Sequence, residues 1–483
     1  MSLATRPGAD LSPLPYDARI TVTPIQKVVL LVAGLALLAT IALAALGRPA
    51  GLLVVVAVVT VLYLADLIFC AFLVTSSAWR GREPIDPMIS AARDWPMYTV
   101  LCPMYREIAV LGQLVDAMNG LDYPASSLEV LLLLEADDVE TIAFARSMSL
   151  PATFQVVVVP DSQPKTKPKA CNYGLTIARG EFVVIFDAED VPEADQLKKA
   201  ATAFGRMSTR VACLQAPLNF YNPRQNVLTR LFTAEYSLWF DLMLRGLQQL
   251  GGPIPLGGTS NHFRTRVLRG LGGWDPYNVT EDADLGIRLY RQGFRTGMLN
   301  STTYEEANPR VRNWIRQRSR WIKGYMQTFL VHTRGGWDLR RTRDPHFLTF
   351  LLIIGGKVLV NFVNPLMWAL TIGYFAFRPV VGQAIESVYP SWVFYPAVFT
   401  LVAGNLLFVY TFLLGSARRG NHDLIKYGLL APFYWLLMST AAVKALAQLI
   451  SRPHYWEKTV HGLHLTGGGV EQHMPAQRKV DVR

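Results

Sequence analysis

The chain of 483 residues is poor in the features that would place it in several large classes. It has only four cysteines, Cys70, Cys102, Cys171 and Cys213, none of them in a CxxC spacing, so neither a zinc cage nor a disulfide scaffold is expected. No GxGxxG and no GxxxxGK[ST] occurs, which removes the usual support for a dinucleotide-dependent dehydrogenase or a P-loop ATPase. Charged residues make up 17% of the chain and hydrophobic ones 51%, too apolar for a soluble enzyme unless the apolar residues are gathered into spans. Internal repeats and low-complexity tracts are missing. The net charge is +11, and no nucleic-acid partner is expected.

What is present begins with the spans. Lys27 to Leu46 and Leu52 to Val74 are nearly uncharged runs that approach or exceed the roughly 20 residues a bilayer requires. The second follows the first so closely that the pair reads as a retained helical hairpin, not a cleaved signal peptide. Phe347 to Phe377, Trp392 to Leu414 and Tyr427 to Ile450 add about three more segments, the first long enough to hold an interfacial helix ahead of a true span. The expected division is an arm at 1–26, two transmembrane helices at 27–76, a soluble α/β domain at 80–345, an interfacial helix with about three spans at 346–450, and a tail at 451–483. The first twenty residues read as a loose arm.

Basic flanks set the orientation. Arg6, Arg19 and Lys27 precede the first span, Arg80 and Arg82 follow the second, and "SARRGNHDLIK" separates the last two. The α/β domain is therefore expected to face the cytoplasm from an inner or plasma membrane. Five crossings would export the tail, yet "SRPHYWEKTVHG" and "QRKVDVR" are basic and look cytoplasmic. Either one apolar segment is a re-entrant or surface helix, or the tail is outside.

Within the soluble region, "YTVLC" at 98, "EVLLLL" at 129, "FQVVVV" at 154, "FVVIF" at 182 and "VACLQA" at 211 read as strands separated by helical stretches. That alternation implies a parallel sheet, with ligands bound beyond the carboxyl ends of its strands. Two of those ends are acidic: "EADD" (Glu135 to Asp138) and "DAED" (Asp187 to Asp190). Crowded carboxylates are relieved by a hard divalent cation that also holds phosphate oxygens, although either cluster alone could be a solvated turn. Between them Lys165, Lys167 and Lys169 offer charge suited to a diphosphate, or form a solvated lysine loop.

Further on, "PLGGTSNHFR" (Pro255 to Arg264) has the glycines and small hydroxyls that let backbone approach a ligand, or make a plain turn. Thr280, Glu281 and Asp282 open an amphipathic helix, with Thr280 as its cap and a carboxylate available as general base. "IRQRSRWIKGYMQTF" (Ile315 to Phe329) sets cations beside aromatics, as an interfacial anchor would.

In the order "CPMYRE", "EADD", "KPKACNYGL", "DAED", "GGTSNHF", "TEDADLG", "QRSRW", flanked by spans, the chain resembles the membrane-embedded processive family 2 glycosyltransferases, the cellulose, curdlan, chitin and hyaluronan synthases, over about Met97 to Phe329. The resemblance implies an α/β GT-A (Rossmann-like) domain inserted between transmembrane helices. It also implies Tyr105, with Arg106 where Asn is usual, against the donor's base, Glu107 beside it, and Asp137 and Asp138 on the nucleoside. Lys169 would lie near the diphosphate. Asp187 and Glu189 would handle nucleotide phosphate and a Mg2+ or Mn2+ ion, with Glu standing where a second Asp is usual. Asp282, with Glu281, would be catalytic. Gln317 and Arg320 would hold the leaving diphosphate, with Trp321 a floor under the acceptor sugar and Gly258, Thr259 and Ser260 beside it.

The reaction implied is a single displacement that inverts the anomeric centre and extends a β-linked glycan, with UDP-glucose the first expectation for donor. Growing polysaccharide, membrane lipid and possible export subunits are the implied partners. Two other functions fit parts of the sequence: a non-processive enzyme adding one sugar to a lipid or short acceptor, and a transporter with a regulatory nucleotide-binding domain. Asp66, Lys357, Asn361 and Lys444 fall inside apolar segments, where polar groups face a partner or an aqueous path. They would line a glycan channel or, as an Asp66–lysine pair, fix helix packing.

Overall fold

The computed structural model describes residues 11–14, 16–79, 85, 87–89, 94–334, 344 and 346–459. The basic tail "QRKVDVR" lies outside the described residues. Two apolar helices, α1 (Pro24–Ala45) and α2 (Ala50–Trp79), precede the first strand. A mixed α/β layer follows, comprising β1 (Tyr98–Met104), α3 (Ile108–Asn119), β2 (Leu128–Glu135), α4 (Val139–Ser147), β3 (Phe154–Val159), α5 (Lys167–Ile177), β4 (Phe182–Ile185), β5 (Val191–Pro192), α6 (Gln196–Arg206), β6 (Val211–Gln215) and β7 (Leu218–Phe220). The chain continues through α7 (Val227–Leu238), a π-helical turn at Trp239–Met243, α8 (Leu244–Leu250), β8 (Asn261–Arg264), α9 (Thr265–Gly270), α10 (Glu281–Arg291), β9 (Arg295–Met298), β10 (Thr303–Glu305) and α11 (Val311–His332).

All five strands expected from sequence are present. The main sheet runs β3-β2-β1-β4-β8-β6-β9, and a small one runs β5-β10-β7. The main sheet is mixed, not parallel throughout: β8 lies antiparallel to both β4 and β6. Asn261–Arg264 belong to the stretch whose glycines suggested a turn, and those glycines deliver the chain into this central strand. Alternate residues of β1 and β2 divide between two apolar layers, Leu101, Leu131 and Leu133 on one face and Val100, Val130 and Leu132 on the other. Burial on both faces is what an unbroken apolar run in a covered sheet requires.

Five helices are long and apolar enough to cross a membrane: α1, α2, α12 (Phe347–Val388), α13 (Ser391–Arg418) and the stretch His422–Ser451. The last comprises a 3-10 segment, His422–Leu430, and α14 (Ala431–Ser451). Phe347–Val388 is continuous, with a π-helical turn at Leu351–Gly356 and a non-helical Phe377 two residues before Pro379. α7 and α8 cross the inner ends of α2 and α13 closely enough that a Cβ on Gly246 would fall 2.4 Å from the Leu73 carbonyl oxygen.

Both ends of α14 lie against the α/β layer. Near its start the Tyr434 hydroxyl donates to Glu235 of α7, and just beyond its end Lys323 of α11 donates to the carbonyls of Arg452 and Tyr455. Between these points Ala441, Ala442 and Ala445 pack on Ile322 and Met326 of α11. The arm expected to be loose is tied down from Leu11 onward: Ser12 N–H donates to the Arg269 carbonyl, Ala18 N–H to Asp275, and Arg334 to the Asp17 carbonyl.

Candidate active site

The ends of β1 and β2 are stitched together at one side of the site. Arg106 adopts a left-handed backbone, φ 55°, and its N–H donates to Asp138 at 2.5 Å. Asp138 also accepts from Thr141 N–H and so caps α4. The Tyr105 hydroxyl donates to Asp137 at 3.0 Å. The lysine run neutralises this acidic end: Lys165 pairs with Asp137 at 2.9 Å and Lys169 with Glu135 at 2.6 Å. The lysine that reaches the centre of the site is Lys167, whose ammonium lies 2.5 Å from Asp187 and donates to the Gly258 carbonyl at 2.8 Å.

The second acidic strand end is organised by its last residue. Asp190 accepts from Asp187 N–H at 2.6 Å and from the Thr259 hydroxyl, joining "DAED" to "GGTS". Burial and the charges of Asp187, Glu189 and Glu305 push the Asp190 carboxyl well above the usual range. Ser260, also at positive φ (58°), is wholly buried with its hydroxyl on Thr303. Gln215 fixes Gly257 by accepting from its N–H at 2.8 Å, leaving Gly258 open to the site.

Asp282 and the arginine–tryptophan motif are mounted on one another. A Cβ at Gly324 of α11 would fall 2.2 Å from the Thr280 hydroxyl oxygen, so only glycine lets the loop before α10 seat there. Gln327 accepts from Val279 N–H, and Asn278 donates to Thr328, fixing the same loop to α11. Thr280 thus serves this contact and makes no side-chain cap bond, unlike the expectation from sequence. Gln317, Arg320 and Trp321, spaced i, i+3 and i+4, share one face of α11 and meet the same cavity as Glu281 and Asp282.

That cavity, about 540 Å³, is lined by Tyr105, Glu107, Lys167, Asp187, Glu189, Gly258, Thr259, Glu281, Asp282, Gln317, Arg320 and Trp321. Of the residues expected at the site, Asp137, Asp138, Lys169 and Ser260 lie off its lining and hold neighbouring parts in place. Sequence reasoning noted the basic stretch holding Trp456 and Lys458 but gave it no role at the site, which both residues line from the far end of the chain. Arg320 stacks over Trp456 at 4.6 Å, and Lys458 lies 3.4 Å from Glu107. No spacing rule links residues so distant in sequence. Sequence reasoning passed over Glu235 and Arg318, the second sitting inside the quoted motif.

The electrostatics divide the roles. Burial raises the Asp282 carboxyl, against the opposing pull of Ala283 N–H, Lys167 and Arg320. Burial and the adjacent Asp282 charge push Glu281 up to about 8. Arg320 has no ion-pair partner among the described residues, and its Nε is buried without a hydrogen bond, which is the condition of a guanidinium built to receive an anion. Asp187 and Glu189 offer hard oxygen donors to the same cavity. Among the described residues no three His, Cys, Asp or Glu side chains form a metal cage. The donor set therefore fits a cation that takes its remaining ligands from phosphate and water.

Strand ends carrying carboxylates, a buried arginine and the buried Asp282 carboxylate meet at one cavity on a GT-A-type sheet. A model described as "Glycosyltransferase like family 2" matches residues 96–324. Similar proteins include the probable glycosyltransferase YdaM of Bacillus subtilis, 27% identical over 279 residues, 56% of this chain and 66% of that protein. Cellulose synthase 2 of Novacetimonas hansenii is 29% identical over 252 residues, 51% of this chain and 15% of that protein. The matched region thus spans less than two-thirds of either relative. Among solved structures, the mannosyltransferase PcManGT from Pyrobaculum calidifontis, in complex with GDP-Man and Mn2+, aligns with TM-score 0.48 at 17% identity, covering 82% of this chain and 99% of that one. S. aureus TarS 1-349 aligns with TM-score 0.37 at 14% identity, covering 76% of this chain and 97% of that one. Over residues 96–324 the chain thus matches a glycosyltransferase family 2 domain and is similar to proteins of that kind. Its five apolar helices make it a membrane-associated one.

Proposed function

We propose that the protein is an inverting, processive polysaccharide synthase that transfers a sugar, with glucose from UDP-glucose the first candidate, to a growing β-linked glycan and passes the product through the membrane. The observation that carries the reading is the continuity of the cavity. The space bordered by Asp187 and Asp282 is also lined by Tyr63 of α2, Asn361 and Asn364 of α12 and Asn405 of α13. Hydrogen-bonding side chains inside apolar helices are costly unless they serve a polar path, and a glycan is one occupant that needs such a path.

In this reading Trp321 supplies an apolar face for the acceptor pyranose, leaving its attacking hydroxyl toward Asp282. Asp282 takes the hydroxyl proton as that oxygen bonds to the anomeric carbon and the bond to the diphosphate breaks. A single backside attack inverts the centre, so an α-linked donor gives a β-linked product. Arg320 and Lys167 face the departing diphosphate, with Arg320 free to pair with it bidentately. Asp187 and Glu189 would hold a divalent cation, Mg2+ or Mn2+, which when bound neutralises charge on the leaving group. Tyr105 and Glu107 border the donor end. The α/β layer faces the cytoplasm, and α14, tied at both ends to that layer, is read as a surface helix, leaving four crossings.

Membrane vesicles holding wild type or Asp282→Asn, supplied with a divalent cation and a panel of radiolabelled nucleotide sugars, test the proposal. Label from one donor in high-molecular-weight product, lost in the variant, is the expected result. Label confined to small glycolipid would replace processivity with single-sugar transfer, and no label from any donor would remove the synthase reading.

A further inference from the structure

The membrane-ward part of the cavity has a charge pattern that constrains what can occupy it. Of the residues that α2, α7, α12, α13 and α14 contribute to the lining, only Glu235 and Lys357 are charged, and both are paired within the protein. Lys357 lies 3.2 Å from Asp66 and donates to Cys70 at 2.7 Å. Glu235 receives both Arg318 amino groups, one at 2.9 Å, and the Tyr434 hydroxyl at 2.5 Å. Arg318 is itself clamped between aromatic rings, its guanidinium 4.5 Å from Phe232 and 4.6 Å from Trp321. The remaining polar lining is uncharged, and includes Asn361, Asn364, Asn405, Tyr63, Tyr236 and Ser439.

An anionic polymer would need free cations along such a path, as anion-selective pores provide. Here each cation is already held by a carboxylate of the chain, and a second carboxylate brought in by the polymer would meet Glu235 as a like charge. A neutral sugar meets no such opposition. The Glu235 carboxylate has four lone-pair directions, and the one left over from the two Arg318 bonds and the Tyr434 bond, on Oε1, can accept from a sugar hydroxyl.

Resting on the synthase reading above, we propose that the glycan is built from uncharged hexose or N-acetylhexosamine units, and that Glu235, held by Arg318 and Tyr434 beside Trp321, is the specificity-determining residue that accepts from a hydroxyl of the acceptor and rejects uronate. Lys357, neutralised by Asp66, keeps the same neutrality deeper in the path. An ion pair serving helix packing alone would hold α7 to α11 equally well but would not discriminate among oligosaccharides.

The test uses the full-length protein in lipid nanodiscs and reads intrinsic fluorescence, since Trp239, Trp321 and Trp435 line the cavity. Neutral hexasaccharides of glucose, mannose and N-acetylglucosamine are titrated against an oligouronate of equal length, with UDP in a separate titration. At least one neutral oligomer is expected to bind at least about tenfold more tightly than the oligouronate. Glu235→Gln is expected to weaken that binding about tenfold, through loss of a charged acceptor, with UDP affinity unchanged. Asp66→Asn, which frees Lys357, is expected to narrow the gap from the uronate side. Equal or tighter uronate binding overturns the inference, as does a Glu235→Gln variant that weakens UDP and oligosaccharide alike. Binding by none of the oligomers removes the cavity as a glycan path and the inference with it. Selective neutral binding without turnover of any donor would leave this inference standing and sink the synthase reading instead.

Discussion

Replacing Lys167 by Met should move the acid limb of the pH–activity profile upward. The catalytic base must be deprotonated to work, so a raised carboxyl pKa shifts the loss of activity to higher pH. Lys167 is one of the cations that restrain the rise imposed on Asp282 by burial. A Cβ at Gly258 would lie 3.4 Å from Asp282 Oδ2 and 3.9 Å from Lys167 Nζ. The two charges are therefore no more than about 7 Å apart, worth about 2.4 kcal/mol at an effective dielectric of about 20, or just under two pH units. Asp187, 2.5 Å from the same ammonium, screens part of that field. Its own charge is uncovered when the lysine is removed, which pushes Asp282 in the same direction. A displacement of about one unit follows, and because Glu281 and Asp282 titrate together it belongs to the pair. The assay is kcat/KM for labelled sugar transfer from pH 4 to 9 in membrane vesicles, with Lys167→Arg as the charge-preserving control. A limb that stays in place, or moves to lower pH, would refute the assignment of Asp282 as base under the field of Lys167.

The other predictions concern the parts around that base. Arg320→Lys keeps the charge and loses the bidentate fork, so kcat should fall by about a hundredfold with acceptor KM little changed, and near-wild-type kcat would remove Arg320 from leaving-group stabilisation. Gly324→Ala forces a methyl onto Thr280, and a loss of about 1–3 kcal/mol is expected as a lowered thermal midpoint together with reduced kcat; an unshifted midpoint would mean that α11 is not the mount of the catalytic loop. Chelation should abolish transfer and added Mg2+ or Mn2+ restore it, with Glu189→Gln raising the cation concentration required by about tenfold or more. Transfer that persists in excess chelator would exclude the cation.

The strands and helices of the α/β layer were legible because their runs are long and their periods clear. Tyr98–Met104 and Leu128–Glu135 are mostly apolar and buried on both faces, and that pattern has one common use in a covered sheet. β8 was not legible, since four residues after a glycine pair carry no periodic signal and its antiparallel pairing depends on strands far away in sequence. The lysine run defeated sequence reasoning for a geometric reason. Lys165, Lys167 and Lys169 straddle the start of α5, where alternate residues leave in different directions, and only the fold decides that Lys165 and Lys167 line the cavity while Lys169 does not. The roles of Asp138 and Ser260 were likewise hidden, because short polar side chains serve backbone geometry as readily as ligands.

The last apolar segment is where hydropathy and the proposed topology part company. Ala431–Ser451 is as long and apolar as a span, and composition alone cannot distinguish an alanine face that meets lipid from one that meets another helix. Here the small residues let α14 run close beside α11, with each end bonded to the α/β layer. The apolar side chains on its other face, Phe433, Leu436, Val443 and Ile450, stay exposed at helical spacing, which suits contact with lipid. If α14 lies along the membrane surface, as proposed, the parity conflict in the basic flanks disappears, since four crossings would leave both ends of the described chain on one side. His454 lies within hydrogen-bond distance of the carbonyls of both Arg19 and Tyr277, so the two ends meet on the α/β layer itself. The same placement makes α11 the common support of the enzyme. One face carries Gln317, Arg320 and Trp321, Gly324 seats the loop of Asp282, and the side against α14 is held by the C-terminal segment that brings Trp456 onto Arg320. In the proposed mechanism donor, base and acceptor floor are thus positioned by one helix, and a displacement of α14 would be felt at all three.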